Sequence, residues 1–185
     1  AVSFIQSVFW GFGCGVVTDG TGVLFNNRMN GFSLDPASPN VLAPGKRPIH
    51  TLNAYLVTRE EAQAGRDALA FVGGTPGGDV QVQSNLQVIC NVVDYGMNPQ
   101  QAVEAPRWQH GGAVGAPGEP VQEALALEDR FSPETRQALE RMGYRLEILG
   151  PWAHGSSYQL IAVHPETGAY LGGSDPRCDG HAAGF

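Results

Sequence analysis

Ala68-Leu69-Ala70-Phe71-Val72-Gly73-Gly74-Thr75-Pro76-Gly77-Gly78 opens the reading, because an apolar strand runs straight into six residues that include four glycines. Val82, Leu86, Ile89, Val92 and Val93 then recur at helical spacing, and Gly96 supplies a stop. A strand, a glycine corner and a helix in that order leave free N–H groups and a positive dipole end at the corner. Such a corner binds anions or stabilises an oxyanion, and the same glycines also serve a plain tight turn. No Lys follows, so it is not a Walker loop, and it does not fit GxGxxG.

Working outward, Thr51–Val57 is the preceding strand, joined to Ala68–Val72 by a polar stretch in which Thr58-x-x-Glu61 can cap a short helical turn. Asn98-Pro99 and Ser132-Pro133-Glu134 each open a further helix, ending before Pro106 and at Gly143. Tyr144–Leu149, Tyr158–Val163 and Ala169–Leu171 return to strands, the last two separated by a turn at His164–Gly168. Toward the N-terminus, Val2–Trp10 reads as a strand, and Val16-Val17 with Val23-Leu24-Phe25 as a hairpin. Asn26–Arg47 is a long irregular connection. Strands, then helices, then strands predict an α+β fold with helices on one face of a largely antiparallel sheet.

The counts bound the function. At 185 residues with 42% hydrophobic and 16% charged side chains, the chain suits one domain spanning 1–185. Eleven Lys and Arg against eighteen Asp and Glu give a net charge of −7, which disfavours binding to nucleic acid. No apolar run approaches the roughly 20 residues of a spanning helix, so no membrane partner is expected. Cys14, Cys90 and Cys178 form no disulfide framework or metal clip, and the histidines lack HxxxH or HExxH spacing, so neither metal nor cofactor is expected. The unpaired cysteines lean toward a cytoplasmic over a periplasmic setting without fixing the compartment.

Other segments offer polar side chains. Asn27 and Arg28 follow a strand; Arg28 can hold a carboxylate in a bidentate fork or lie solvated. His50 and Thr51 enter a strand after Pro44-Gly45-Lys46-Arg47-Pro48, where His50 can serve as base or donor, or as an ordinary structural histidine. Lys46 and Arg47 can meet a substrate carboxylate or Asp35. Ser156-Ser157 lacks a GxSxG context, and no complete triad is readable.

Taken together, the motifs resemble the small subunit of the γ-glutamyltransferases. The resemblance rests on Gly22-Val23-Leu24-Phe25-Asn26-Asn27-Arg28-Met29, Phe32-Ser33, Pro44–Pro48, Thr75-Pro76-Gly77-Gly78, Asp94–Asn98, Ala102-Val103-x-Ala105-Pro106-Arg107 and Gly173-Ser174-Asp175-Pro176-Arg177. It runs from Ala1 almost to Phe185 in the family's order. It implies an N-terminal-nucleophile (Ntn) hydrolase with an αββα sandwich shared with a large subunit cut from the same precursor. A threonine hydroxyl, expected just upstream of Ala1 and activated by its own α-amino group, would attack a small-molecule amide. Gly77 and Gly78 match the family's oxyanion-hole glycines.

The departures from the pattern also carry implications. Paired serines are replaced by His50 and Thr51, the glutamyl-binding aspartate by Gly31, and an asparagine by Phe9. The segment Leu34–Ala43 is shorter than in many relatives. These changes point to the acylase and amidohydrolase branch, with Arg28, His50, Thr51 and Asn27 contacting the acyl group. A true γ-glutamyl hydrolase or transpeptidase acting on glutathione is the alternative, and a non-catalytic binding subunit is the third reading.

Overall fold

In the computed structural model, described over residues 1–61, 66–111 and 124–184, the chain divides into two compact units. One comprises Ala1–Phe4 with Asn53–Phe185, the other Ile5–Leu52.

The larger unit holds a four-stranded sheet made of β1 (Ala54–Glu61), β2 (Arg66–Gly74), β6 (Gln159–Val163) and β7 (Tyr170–Ser174), antiparallel throughout and in that order. Register places Val57, Phe71 and Ala162 side by side on one face, with Leu56, Val72 and Ile161 on the other. Two helices, α1 (Val80–Val93) and α2 (Pro99–Glu104), supply Val88, Ala102 and Val103 to the core formed with Phe71, Tyr158 and Leu160. Asn98 caps α2 in a reciprocal capping box with Gln101, and Pro99 fills the first helical position. Met97 donates its N–H to the Asn91 carbonyl across Gly96, which takes a φ of 63° and closes α1 as the glycine predicts.

A second sheet, β3 (Trp108–His110), β4 (Leu125–Glu128) and β5 (Leu146–Leu149), pairs antiparallel and then parallel, with α3 (Pro133–Arg141) between β4 and β5. Ser132 caps α3 by accepting the Thr135 N–H. The α+β class is therefore observed, while β3 and β4 are additions to the sequence reading.

Two expectations give way. Val2–Trp10 forms no strand: Phe9 sits at a φ of 80°, and a turn begins at once with Gly13 N–H donating to Trp10 O. The Thr58–Glu61 cap is absent too, because both strands continue through it and pair Glu60 with Asp67 and Glu61 with Arg66. Backbone groups that find a ladder partner have no need of a local cap.

The smaller unit is mostly irregular. Val17 and Leu24 bridge as the predicted hairpin, a short 3₁₀ turn covers Arg28–Gly31, and Ser33 bridges Val41.

Candidate active site

The glycine corner is built as its sequence predicts. β2 ends at Gly74, and Gly77 and Gly78 take φ values of 132° and 56°, a region side chains other than glycine rarely adopt. Their carbonyls accept the N–H groups of Val80 and Gln81, which starts α1. No acceptor among the described residues takes the N–H of either glycine. Two amides therefore stand unpaired at the positive end of a 14-residue helix, a geometry suited to a negative oxygen.

The corner rests on a buried polar network that local sequence reading does not reveal. Ser156 is 1% exposed, and its Cβ and the Gly155 carbonyl both lie 3.7 Å from where a Cβ on Gly77 would stand. The Ser156 hydroxyl receives Arg107 Nη1 and the Ser84 hydroxyl, each at 3.0 Å, and meets His154 Nδ1 at 2.8 Å. Arg107 in turn pairs with Asp175 at 2.6 Å, and Arg177 binds both Asp175 and Glu128.

Glu128 gathers Arg130, Arg177 and the backbone N–H of Arg107. Burial pushes its carboxyl upward, but the bonds from Arg177 and Arg130 outweigh this and hold it at about 2. His154 is moved down to about 4, first by burial and then by the charge of Arg107. Tyr158, hydrogen bonded to Tyr55 and Asn85, is pushed upward by burial. The signal that could find this network is two Pro-Arg pairs, Pro106-Arg107 and Pro176-Arg177, whose guanidinium groups are both buried.

The smaller unit contains the other predicted residues. Arg28 is 7% exposed; its Nη1 donates to Thr51 Oγ1 at 3.3 Å and its guanidinium lies 5.3 Å from the Phe9 ring centre. Its Nη2 is buried with no partner, and no carboxylate among the described residues pairs with it. Arg28 and Thr51 are thus brought together, whereas His50 is exposed. Asn27 is occupied locally, its Oδ1 accepting the Trp10 N–H and its own N–H reaching Val8 O. Lys46 turns to the carbonyls of Pro39 and Val41 rather than to Asp35. An open groove of about 530 Å³ among Met29, Phe32, Leu42, Pro44 and Pro48 includes none of the four predicted residues.

A sequence profile of the gamma-glutamyltranspeptidase family matches residues 1–185. The chain belongs to that family. Within it, the chain is 39% identical over 185 residues to the glutathione hydrolase-like YwrD proenzyme of Bacillus subtilis, covering 100% of this chain and 33% of that protein. It is 36% identical over 185 residues to the oxamate amidohydrolase proenzyme of Klebsiella pneumoniae, with the same coverage. The chain thus spans about a third of the length of these relatives.

Among solved structures, cephalosporin acylase from Bacillus halodurans superposes with a TM-score of 0.81 at 37% identity, over 98% of this chain and 31% of that one. The gamma-glutamyltranspeptidase from Pseudomonas nitroreducens complexed with L-DON gives 0.76 at 29%, over 100% of this chain and 93% of that one. The fold of this gamma-glutamyltranspeptidase family member is accordingly that of the Ntn hydrolases, α+β in class.

Proposed function

We propose that this chain is the small-subunit part of a γ-glutamyltransferase-like amidohydrolase or acylase. The observation that carries the reading is the pair of unpaired N–H groups at Gly77 and Gly78 at the start of α1. In this reading, the threonine that the family resemblance implies ahead of Ala1 attacks the carbonyl carbon of a small amide. Its hydroxyl proton passes to its own α-amine as the C–O bond forms. The carbonyl oxygen becomes an oxyanion and takes hydrogen bonds from Gly77 and Gly78. Collapse expels the amine with that proton, and water then cleaves the acyl ester and restores the hydroxyl.

Arg28, His50, Thr51 and Asn27 are assigned to the acyl group. A buried guanidinium without an acidic partner supports a contact with a carboxylate, and His50 is free to reach solvent or ligand. Asn27 is the weakest of the four, since its carbonyl oxygen already holds Trp10. Domain unity across 1–185, the large-subunit partner and the amide substrate belong to the same proposal.

The test uses the full precursor and a panel of oxamate, glutathione and simple acyl anilides. Gly78→Pro deletes one donor, and kcat should fall by about two to three powers of ten. Proline is unable to adopt the φ of 56° found here, whereas alanine keeps the N–H and reaches that φ at a cost of about 1–2 kcal/mol, so Gly78→Ala should retain far more turnover than Gly78→Pro. Undiminished turnover in a folded Gly78→Pro enzyme refutes the oxyanion role. Preference for glutathione over the other amides would instead select the γ-glutamyl hydrolase reading. An inert enzyme with no exposed threonine would select the non-catalytic one.

A further inference from the structure

The Ser156 hydroxyl has a complete valence account. A hydroxyl carries one proton and two acceptor lone pairs. Here both lone pairs are taken, by Arg107 Nη1 at 3.0 Å and the Ser84 hydroxyl at 3.0 Å, so its proton goes to His154 Nδ1 at 2.8 Å. The Ser156 backbone N–H approaches the same nitrogen at 3.2 Å, and the Arg107 Nη1 also binds the Ser156 carbonyl at 3.0 Å. His154 Nδ1 is therefore an acceptor only, with the ring proton on Nε2. All four side chains are at least nine-tenths buried.

Each partner comes from a different piece of chain. Ser84 lies on α1, the helix that the glycine corner starts, and Arg107 leads into β3. His154–Ser156 leads into β6, and Ser156 Cβ stands 3.7 Å from where a Cβ on Gly77 would lie, at van der Waals distance from that position. Glycine is the softest backbone available, so two consecutive glycines cannot by themselves hold a pair of N–H groups in one direction. An oxyanion site needs that direction fixed before the reaction, and it is fixed by what packs behind it.

We propose that Ser156, locked by His154, Ser84 and Arg107, is a positioning residue that holds the Gly77-Gly78 turn with its N–H groups aimed at the reacting oxygen. This rests on the oxyanion reading above and adds residues that act through the turn without touching substrate.

The experiment uses mature enzyme made from the full precursor and phenylboronic acid as the probe. A hydroxyl nucleophile adds to the boron, a B–O bond forms, its proton leaves to a base, and the resulting tetrahedral anion imitates the one in the reaction. Calorimetric Kd is read beside kcat, KM and Tm. Ser156→Ala and His154→Phe should weaken boronate binding about tenfold or more and lower kcat by a similar factor, with KM little changed. His154→Asn offers an acceptor oxygen near the place of Nδ1 and should recover most of the loss. Val57→Ala, which thins the core at β1 and touches none of these partners, serves as a control for lost stability alone and should leave boronate affinity intact.

Should Ser156→Ala fail to accumulate, Ser84→Ala, which removes one of the three bonds, should show the same trend at about threefold. Wild-type boronate affinity in folded Ser156→Ala or Ser84→Ala, while Gly78→Pro still abolishes it, overturns the positioning role and leaves the oxyanion reading standing. If neither Gly78→Pro nor the serine variants alter boronate affinity, or if the wild type binds none, the oxyanion reading itself falls and this proposal with it.

Discussion

His154 and Glu128 show what a buried residue does when the charge around it is arranged in advance. His154 Nδ1 accepts from Ser156, so a proton there would set donor against donor. Its folded pKa, about 4, lies below the ordinary 6.5, so the unfolded chain binds more protons between these values. The stability it contributes is whole above about 6.5 and drains away as pH falls toward 4. Arg107 and Arg177 add to that downward pull and Glu128 opposes it. Glu128, held at about 2 against 4.5, contributes in the same sense at lower pH, from 4.5 down through 2. We expect Tm to fall steadily from pH 6.5 to 4 and His154→Asn to flatten that part of the curve, measured by scanning calorimetry. An unchanged slope in His154→Asn would assign the loss to other groups.

At the scale of elements, the sheet and the second helix meet through a glycine. A Cβ on Gly173 in β7 would come within 2.6 Å of the Pro99 carbonyl at the start of α2, where only backbone is available to yield. Gly173→Ala should therefore push α2 away from β7 and cost about 1–3 kcal/mol, visible as a lowered urea midpoint. An unaltered midpoint would mean that α2 can slide at little cost.

The same elements show what local sequence could reveal. α2 and α3 were legible because Asn98-Pro99 and Ser132-Pro133 mark their starts, while Gly96 and Gly143 mark the stops of α1 and α3. Val2–Trp10 misled because β-branched and aromatic content describes a preference, whereas a strand also requires a neighbour to bond. β3 and β4 were missed because three or four residues give too short a period, and the parallel pairing of β4 with β5 joins segments far apart in sequence. In the candidate site, the glycine corner was readable as one contiguous stretch. The network of Ser84, Arg107, Glu128, His154, Ser156, Asp175 and Arg177 was not, since its members are scattered from α1 to the segment after β7 and only Asp175 and Arg177 share a motif.

For the whole molecule, the sheet carries a second face. Leu56, Ile161 and Tyr170 project on the side away from the Phe71–Leu160 core and are 57%, 49% and 79% exposed. Exposed apolar side chains gathered on one sheet face favour burial against another surface. We expect the chain expressed alone to self-associate and the full precursor to give a monodisperse species, as measured by light scattering after size exclusion. A monodisperse, folded chain on its own would show that this face needs no cover. Among the described residues, no helix is long and apolar enough to cross a membrane.

The brace around Arg107 has a consequence for how the protein is made. Asp175 and Arg177 come late in the sequence, yet they grip Arg107, Glu128 and the carbonyls of Val103 and Ala105 at the end of α2. Until a ribosome has delivered that Asp-Pro-Arg segment, Arg107 and Glu128 lack their principal counter-charges, and β7 is not there to receive α2. Closure of the larger unit therefore waits on synthesis beyond Arg177. A nascent chain halted earlier would lack that brace, and the six-residue α2 would have no β7 to pack against.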